Sequence, residues 1–353
     1  MKSYDKLWDE LVSFKNIYLA YKRARESKPT KDKVLRFGLN IEKEIFSIQS
    51  DLVNNNYNIS KYKEFKVYEP KERIISAPTF RDVVVQHSLI NIINQIFEKS
   101  FIYNSFACRK KKGTHKGMFR LKKVIQSYNC PKYYLKCDIK KYFPSVNKII
   151  LKKIIFKKIK DKKTLDLINK IIDSYSSDFG NNKGIPIGNL TSQLFANIYL
   201  NELDQFVKHK LKINHYFRYV DDFIILCDSK KELHNYECRI KQFLKCKLHL
   251  DMPKHKTYIN LINNGVDFIG YKIFPQFVKI RKSNIKRFIR RTKNNVYLYN
   301  KCKLDENSLE SSICSFLGYS KHANAYLISK KIFNIYFDKW IYLLNKIYNG
   351  DIK

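Results

Sequence analysis

The chain has 353 residues, 44% hydrophobic and 14% aromatic, a globular composition that excludes a disordered polymer. It carries 69 Lys and Arg against 32 Asp and Glu, a formal net charge of +37, which points to a polyanionic partner gripped through its phosphates and released by salt. The 25 Tyr and 24 Phe among the lysines favour nucleic acid over an anionic membrane, because bases stack on aromatic rings. No apolar run has the length of a transmembrane span, and the charged start Met1-Lys2-Ser3-Tyr4 does not read as a signal peptide. A cytoplasmic protein with no membrane partner is expected. The eight cysteines include no Cys-x-x-Cys pair, which argues against zinc and against a disulfide framework.

In chain order, Leu7, Leu11, Phe14, Tyr18 and Tyr21 predict one amphipathic helix, and Ile41, Ile45, Ile48 and Leu52 a second that stops at Asn54-Asn55-Asn56. Ser27-Lys28-Pro29-Thr30 between them reads as a basic loop. Phe65-Lys66-Val67-Tyr68 and Arg73-Ile74-Ile75-Ser76 alternate as strands about a turn, Glu69-Pro70-Lys71-Glu72. Lys71 and Arg73 on this hairpin are either a surface charge pair or a triphosphate clamp, a mobile point charge beside a planar fork. Thr79, with Asp82 three residues on, caps a helix whose buried face is Val85, Leu89, Ile92 and Ile96. The stretch from Lys110 to Gly117 reads as a basic, glycine-punctuated loop suited to a nucleic-acid backbone, or simply a solvated one.

Tyr133 to Ile139 predicts a strand ending in an acid, Asp138, which on its own is also a common helix cap. Ile149 to Lys163 predicts a helix with a basic outer face, and Asp178 to Gly184 a loop. The turn Pro186-Ile187-Gly188-Asn189 precedes a helix through Leu194, Ile198 and Phe206, and is either only a helix cap or a turn that brings backbone N–H groups against a phosphate or base. In His215 to Cys227 two apolar, β-branched flanks enclose Tyr219-Val220-Asp221-Asp222 at the bend of a hairpin. Neighbouring carboxylates beside an apolar strand repel each other unless a cation lies between them, and magnesium suits several carboxylate oxygens and a phosphate. A solvated turn is the plainer reading of this motif alone. With Asp138 as third acid, neighbouring strands would hold two magnesium ions, one activating a primer 3′-hydroxyl and the other gripping a triphosphate. Beyond Phe243 to Leu250, Gly265 to Tyr271 reads as a short strand pair. Arg281 to Lys293 reads as a helix with Ile285, Phe288 and Ile289 inward and a cationic face that suits a nucleic-acid duplex, or a membrane surface as the lesser alternative.

Taken in order, the basic hairpin, the strand ending in Asp138, the glycine turn, Tyr219-Val220-Asp221-Asp222 and Phe268-Ile269-Gly270-Tyr271 resemble a reverse transcriptase from about Phe65 to Tyr271. The resemblance implies an α+β right-hand polymerase: an N-terminal helical region (1–60) packing on the fingers, fingers and palm (61–275) with an antiparallel sheet flanked by helices, and a basic helical thumb (276–353). It implies RNA-directed DNA synthesis from dNTPs with two Mg2+ ions, Mn2+ being a possible substitute. Asp138 and Asp221 would hold the metals with the Ile139 carbonyl, and Asp222 would complete the acid cluster. Lys71 and Arg73 would clamp the triphosphate, with Lys140, Lys141, Ile187 and Gly188 also at the dNTP. Phe143 would exclude a 2′-hydroxyl, Lys256 would protonate the leaving pyrophosphate, and Phe268, Gly270 and Tyr271 would grip the primer. The partners implied are template RNA and the RNA–DNA duplex. Where most such enzymes have Gln-Gly-x-x-x-Ser-Pro, this chain has Ile187-Gly188-Asn189-Leu190-Thr191-Ser192-Gln193. That run, with Phe106 to His115 and Gly318-Tyr319-Ser320-Lys321-His322-Ala323-Asn324, resembles the reverse transcriptases of diversity-generating retroelements. This implies mutagenic copying of a template-repeat RNA with errors opposite adenine, and a small helical accessory partner. Residues 276–353 leave little room for an RNase H domain. Two alternatives are another bacterial reverse transcriptase (retron, defence-associated or group II intron) and a non-catalytic RNA-binding protein with a relic palm. If Ile187 meets the incoming nucleotide as the resemblance implies, it offers apolar contact where a glutamine amide would make a hydrogen-bond check worth about 1–3 kcal/mol, so low fidelity is expected.

Overall fold

The computed structural model describes residues 3–336 other than 27, 69, 70, 128, 129, 178, 179 and 181. The chain divides into two compact units. The first comprises Met1–Cys108, Cys137–Asn214 and Asn235–Thr257, and the second Arg109–Lys136, His215–His234 and Tyr258–Lys353. Helices and antiparallel strands occur in both, so the α+β class expected from the sequence is met.

The first unit is built on the helix Phe80–Glu98, whose Val84, Val85, Leu89 and Ile93 are fully buried. Thr79 caps it as expected, its hydroxyl accepting from the Asp82 amide. The single helix expected over Leu7 to Tyr21 is two, Trp8–Leu11 and Phe14–Arg25, because extended Ser13 lies between them and caps the second through the Asn16 amide. The break turns the stripe, so Leu11, Ile17 and Tyr21 are buried while Phe14 and Tyr18 stay 37% exposed. Ile41–Val53 forms as read, and an unanticipated helix, Asp32–Leu39, stands between it and the basic loop. Ser27 of that loop lies outside the described residues. Strands β1 (Lys63–Val67) and β2 (Arg73–Ala77) pair antiparallel with Val67 opposite Arg73; Glu69 and Pro70 of their turn are outside the described residues.

The basic helix expected over Ile149 to Lys163 is also two, Lys148–Phe156 and Lys162–Asp173. Asp161 is the cause. Its carboxylate accepts from the Thr164 amide and from the amides of Leu7 and Trp8, so one side chain caps two helix starts. The lysine face is partly spent on ion pairs, Lys152 with Asp173 and Lys157 with Glu202. Of the loop at 178–184, residues 178, 179 and 181 are outside the described set. The helix Leu190–Gln205 follows the glycine turn as expected and buries most of its length. A second unanticipated helix, Lys230–Leu248, takes in most of Phe243 to Leu250.

The second unit holds a four-stranded sheet of β3 (Tyr133–Cys137), β4 (Tyr216–Tyr219), β5 (Asp222–Cys227) and β6 (Tyr258–Leu261), in the order β4-β5-β3-β6. The pairs β4/β5 and β3/β6 are antiparallel, and Tyr216, Phe217, Phe223, Ile224 and Ile225 are fully buried. A second sheet consists of β7 (Val266–Phe268), β8 (Tyr271–Ile273) and an unanticipated β9 (Val278–Ile280). The segment read as a loop through Gly117 is helical from Thr114 to Ile125. The basic helix is Lys282–Asn300, with Phe288 buried against Phe316 of the helix Glu306–Ser320 at 3.7 Å between ring centroids; Ile285 and Ile289 are half-buried. Residues 337–353 of the expected thumb are outside the described set. Among the described residues no helix is long and apolar enough to cross a membrane.

Candidate active site

The first unit carries the residues that follow β3. Asp138 comes one residue after Cys137, and its Oδ1 accepts from Lys256 Nζ at 2.6 Å. Lys256 closes a short 3-10 turn, Lys254–Lys256. The Lys140 amide donates to the Asp251 carbonyl at 2.9 Å. Lys141 takes left-handed backbone (φ 44°) and starts the turn Tyr142–Ser145, which Tyr142 anchors by donating to the Ala196 carbonyl at 2.6 Å. The Phe143 carbonyl accepts from the Ile185 amide at 3.0 Å, and the Ile187 carbonyl from the Ser76 amide on β2 at 2.9 Å. Gly188 has φ +124°, and a Cβ there would lie 2.9 Å from the Ser76 carbonyl oxygen. Only glycine fits that conformation and approach. Thus Phe143, Ile187, Gly188 and the base of the β1–β2 hairpin are tied together within one unit. Lys71 and Arg73 are exposed on that hairpin.

The second unit carries the acid turn. Tyr219 pairs with Asp222, so Val220 and Asp221 form the two-residue loop and Asp222 opens β5. The bend expected at the acid pair therefore falls one residue earlier. Val220 is held at φ 53°, a left-handed conformation that costs a β-branched residue about 1–2 kcal/mol. Beneath it Arg218 is wholly buried and donates to the Val220 carbonyl at 3.1 Å. Asp222 Oδ2 lies 3.3 Å from Lys136 Nζ on β3, while its Oδ1 is buried with no hydrogen-bond partner. Burial pushes the Asp222 carboxyl up to about 6; Lys136 opposes the rise and the neighbouring Asp221 adds to it.

The same unit carries Phe268, Gly270 and Tyr271. Ile269 and Gly270 form the β7–β8 turn, both with positive φ (50° and 83°). The Gly270 carbonyl accepts from Tyr319 Oη at 2.7 Å and from the Arg281 amide at 3.0 Å, and the Tyr271 ring stacks on Tyr319 at 4.5 Å. Asn324 exchanges two hydrogen bonds with the Val278 backbone, and His322 lies 3.8 Å from His115, ring to ring. The run Gly318 to Asn324 therefore clasps the second sheet.

A family profile described as reverse transcriptase (RNA-dependent DNA polymerase) matches residues 59–273. The chain belongs to the reverse transcriptase family. Among its relatives, protein YkfC of Escherichia coli K12 is 26% identical over 278 residues, covering 65% of this chain and 71% of that protein. The group II intron-encoded protein LtrA of Lactococcus lactis is 27% identical over 284 residues, covering 62% of this reverse transcriptase and 46% of LtrA, so the chain spans less than half the length of that relative. The retron Ec73 reverse transcriptase of Escherichia coli is 30% identical over 171 residues, covering 45% and 50%. Among solved structures, apo telomerase of Candida tropicalis aligns with a TM-score of 0.48 at 15% identity, covering 66% of this chain and 59% of that one.

Among the described residues no group of three or more His, Cys, Asp or Glu side chains could hold a metal ion. The donor chemistry nevertheless suits a hard divalent cation: carboxylate oxygens, one of them buried and unpartnered on Asp222. Each of two of these acids has a lysine on it, Lys256 on Asp138 in the first unit and Lys136 on Asp222 in the second. Lys136, Asp267 and Arg281 were not anticipated as site residues. Lys136 was hidden because a lysine inside an alternating strand reads as the solvent side.

Proposed function

We propose that this reverse transcriptase is the error-prone, RNA-directed DNA polymerase of a diversity-generating retroelement, copying a template-repeat RNA into cDNA mutagenised at adenines. The observation that carries the finer assignment is Ile187 at the head of the glycine turn, its carbonyl fixed by Ser76, where most of the family has glutamine. With the backbone pinned, the side chain at this position decides what the incoming base pair meets. An isoleucine supplies apolar contact and no polar check.

In this reading Asp138, Asp221 and Asp222, with the Ile139 carbonyl, would hold two Mg2+ ions. Those ions supply activation of the primer 3′-hydroxyl and charge neutralisation on the triphosphate. Lys71 and Arg73 meet the triphosphate oxygens, Lys140 and Lys141 add positive charge, and Phe143 closes the sugar side. Lys256, already a hydrogen-bond donor to Asp138, gives its proton to the leaving pyrophosphate. Phe268, Gly270 and Tyr271 seat the primer end, and the cationic face of Lys282–Asn300 follows the duplex. In this reading the domains would be an N-terminal helical region (1–60), fingers and palm (61–275) and thumb (276–353), with a small helical accessory protein as partner in the cytoplasm. A second reading, a group II intron or retron enzyme, is favoured by the LtrA and retron relatives.

Sequencing cDNA made from an RNA template of known composition separates the two readings. Errors concentrated opposite template adenine support the first, and rare, evenly spread errors support the second. Ile187→Gln is expected to lower misincorporation at adenine by about tenfold, the size of one discriminating hydrogen bond; an unchanged error spectrum removes Ile187 from any role in fidelity.

A further inference from the structure

Lys136 carries a largely buried ammonium group shared by two carboxylates. Its side chain is 12% exposed. Nζ donates to the Asp267 main-chain oxygen at 2.8 Å and lies 3.3 Å from Asp222 Oδ2 and 3.7 Å from the Asp267 carboxylate. Arg281 pairs with the same Asp267 carboxylate. Charges therefore alternate along the row Asp222, Lys136, Asp267, Arg281. Each member sits on a different functional element: the acid turn, β3, the β7–β8 hairpin, and the residue before the basic helix Lys282–Asn300.

A salt bridge that serves only stability satisfies its carboxylate. This one does not. Oδ2 of Asp222 faces Lys136, while Oδ1 remains buried without a partner. The protein thus holds one oxygen of Asp222 and not the other. The Asp267 end is held more tightly, by a 2.8 Å bond to a main-chain oxygen of the strand that carries Phe268. Movement of that hairpin would therefore move the ammonium group, and with it the balance of charge on Asp222.

We propose that Lys136 is a positioning residue that couples Asp222 to the β7–β8 hairpin, so that the seating of a primer end and the orientation of the acid are set by one ammonium group. The proposal rests on the polymerase reading of this site. It assigns no chemistry to Lys136 itself.

The test compares the unaltered chain with Lys136→Met, Lys136→Arg, Asp267→Asn and the Lys136→Met, Asp267→Asn double variant. Rate and KM for dNTP are measured in primer extension, primer–template affinity by fluorescence anisotropy without divalent metal, and folding by thermal melting. Lys136→Met is expected to lower kcat about 30-fold, with KM and primer–template affinity changed less than about threefold, because orientation and not binding is lost. Lys136→Arg recovers part of the rate. Asp267→Asn lowers kcat less, and the double variant is no slower than Lys136→Met alone, the signature of coupled residues. Unchanged kcat in Lys136→Met, or losses that multiply in the double variant, overturns the proposal. If Lys136→Met does not fold, Asp267→Asn carries the test, since it keeps the main-chain acceptor: a lowered kcat at constant KM supports coupling, and an unchanged kcat overturns it. Absence of extension by the unaltered chain strikes the polymerase reading instead, so the two failures are distinct.

Discussion

The second unit contains two hairpins with two-residue turns, Val220-Asp221 and Ile269-Gly270, and they differ in how their polar groups are met. In the Ile269-Gly270 turn both residues have positive φ, glycine occupies the second position, and the carbonyl is held by Tyr319 and the Arg281 amide. Ile269 is β-branched and left-handed like Val220, so that conformational cost is common to both turns, but here the partners are complete. In the Val220-Asp221 turn a β-branched residue takes the left-handed conformation, no glycine relieves it, and the next residue keeps a buried carboxylate oxygen unbonded. The difference between the two turns is therefore the unmet carboxylate oxygen beside Val220-Asp221, which adds nothing to the stability of that turn.

Three substitutions break or sharpen that contrast, the largest first. Gly270→Ala places a Cβ 2.6 Å from Tyr319 Oη and 2.7 Å from Asn284 Nδ2 at φ +83°. It is expected to destabilise the second unit by about 2–4 kcal/mol, read as a lowered melting temperature, since the left-handed penalty adds to the displaced hydrogen bonds. Asp222→Asn works in the other direction. The folded chain holds the Asp222 carboxyl up near 6, above its ordinary value of 3.8, chiefly through burial. Between those values the folded chain binds more protons than the unfolded one, so stability falls as pH rises through this window and the loss is complete above about 6. The amide removes that loss, and melting in EDTA at pH 7.5 should show a gain on the order of 1–2 kcal/mol that shrinks towards pH 4. A gain that does not depend on pH would contradict burial of the charged carboxylate as its cause. Val220→Gly has the smallest effect. Relief of the left-handed penalty is offset by the greater chain entropy of glycine, leaving a gain of under about 1 kcal/mol, whereas glycine at a relaxed position would only destabilise.

Strands were the legible part of this fold. Tyr133 to Cys137 and the two flanks of the acid turn combine alternation with aromatic and β-branched residues, and no helix competes for that pattern. Helix breaks were less legible because they depend on distant partners. Asp161 caps its own helix through the Thr164 amide and also the helix Trp8–Leu11 by accepting from the amides of Leu7 and Trp8, more than 150 residues away. The helix Lys230–Leu248 was hidden by its many lysines, although Leu233, Ile240, Leu244 and Leu248 recur on one face and are buried. The acids and the glycine turn could be read from local motifs. The Lys136 row could not, because its four members come from four separate segments and only folding sets their charges side by side.

The central claim is that Asp221, at the tip of the strained turn, serves nucleotide addition on an RNA template. It is tested most directly by single-nucleotide incorporation on an RNA-templated DNA primer, comparing the unaltered chain with Asp221→Asn at matched folded concentration. Incorporation by the former and a loss of at least about 1,000-fold in the latter are predicted, with melting temperatures within a few degrees. Equal rates in the two proteins would contradict the claim.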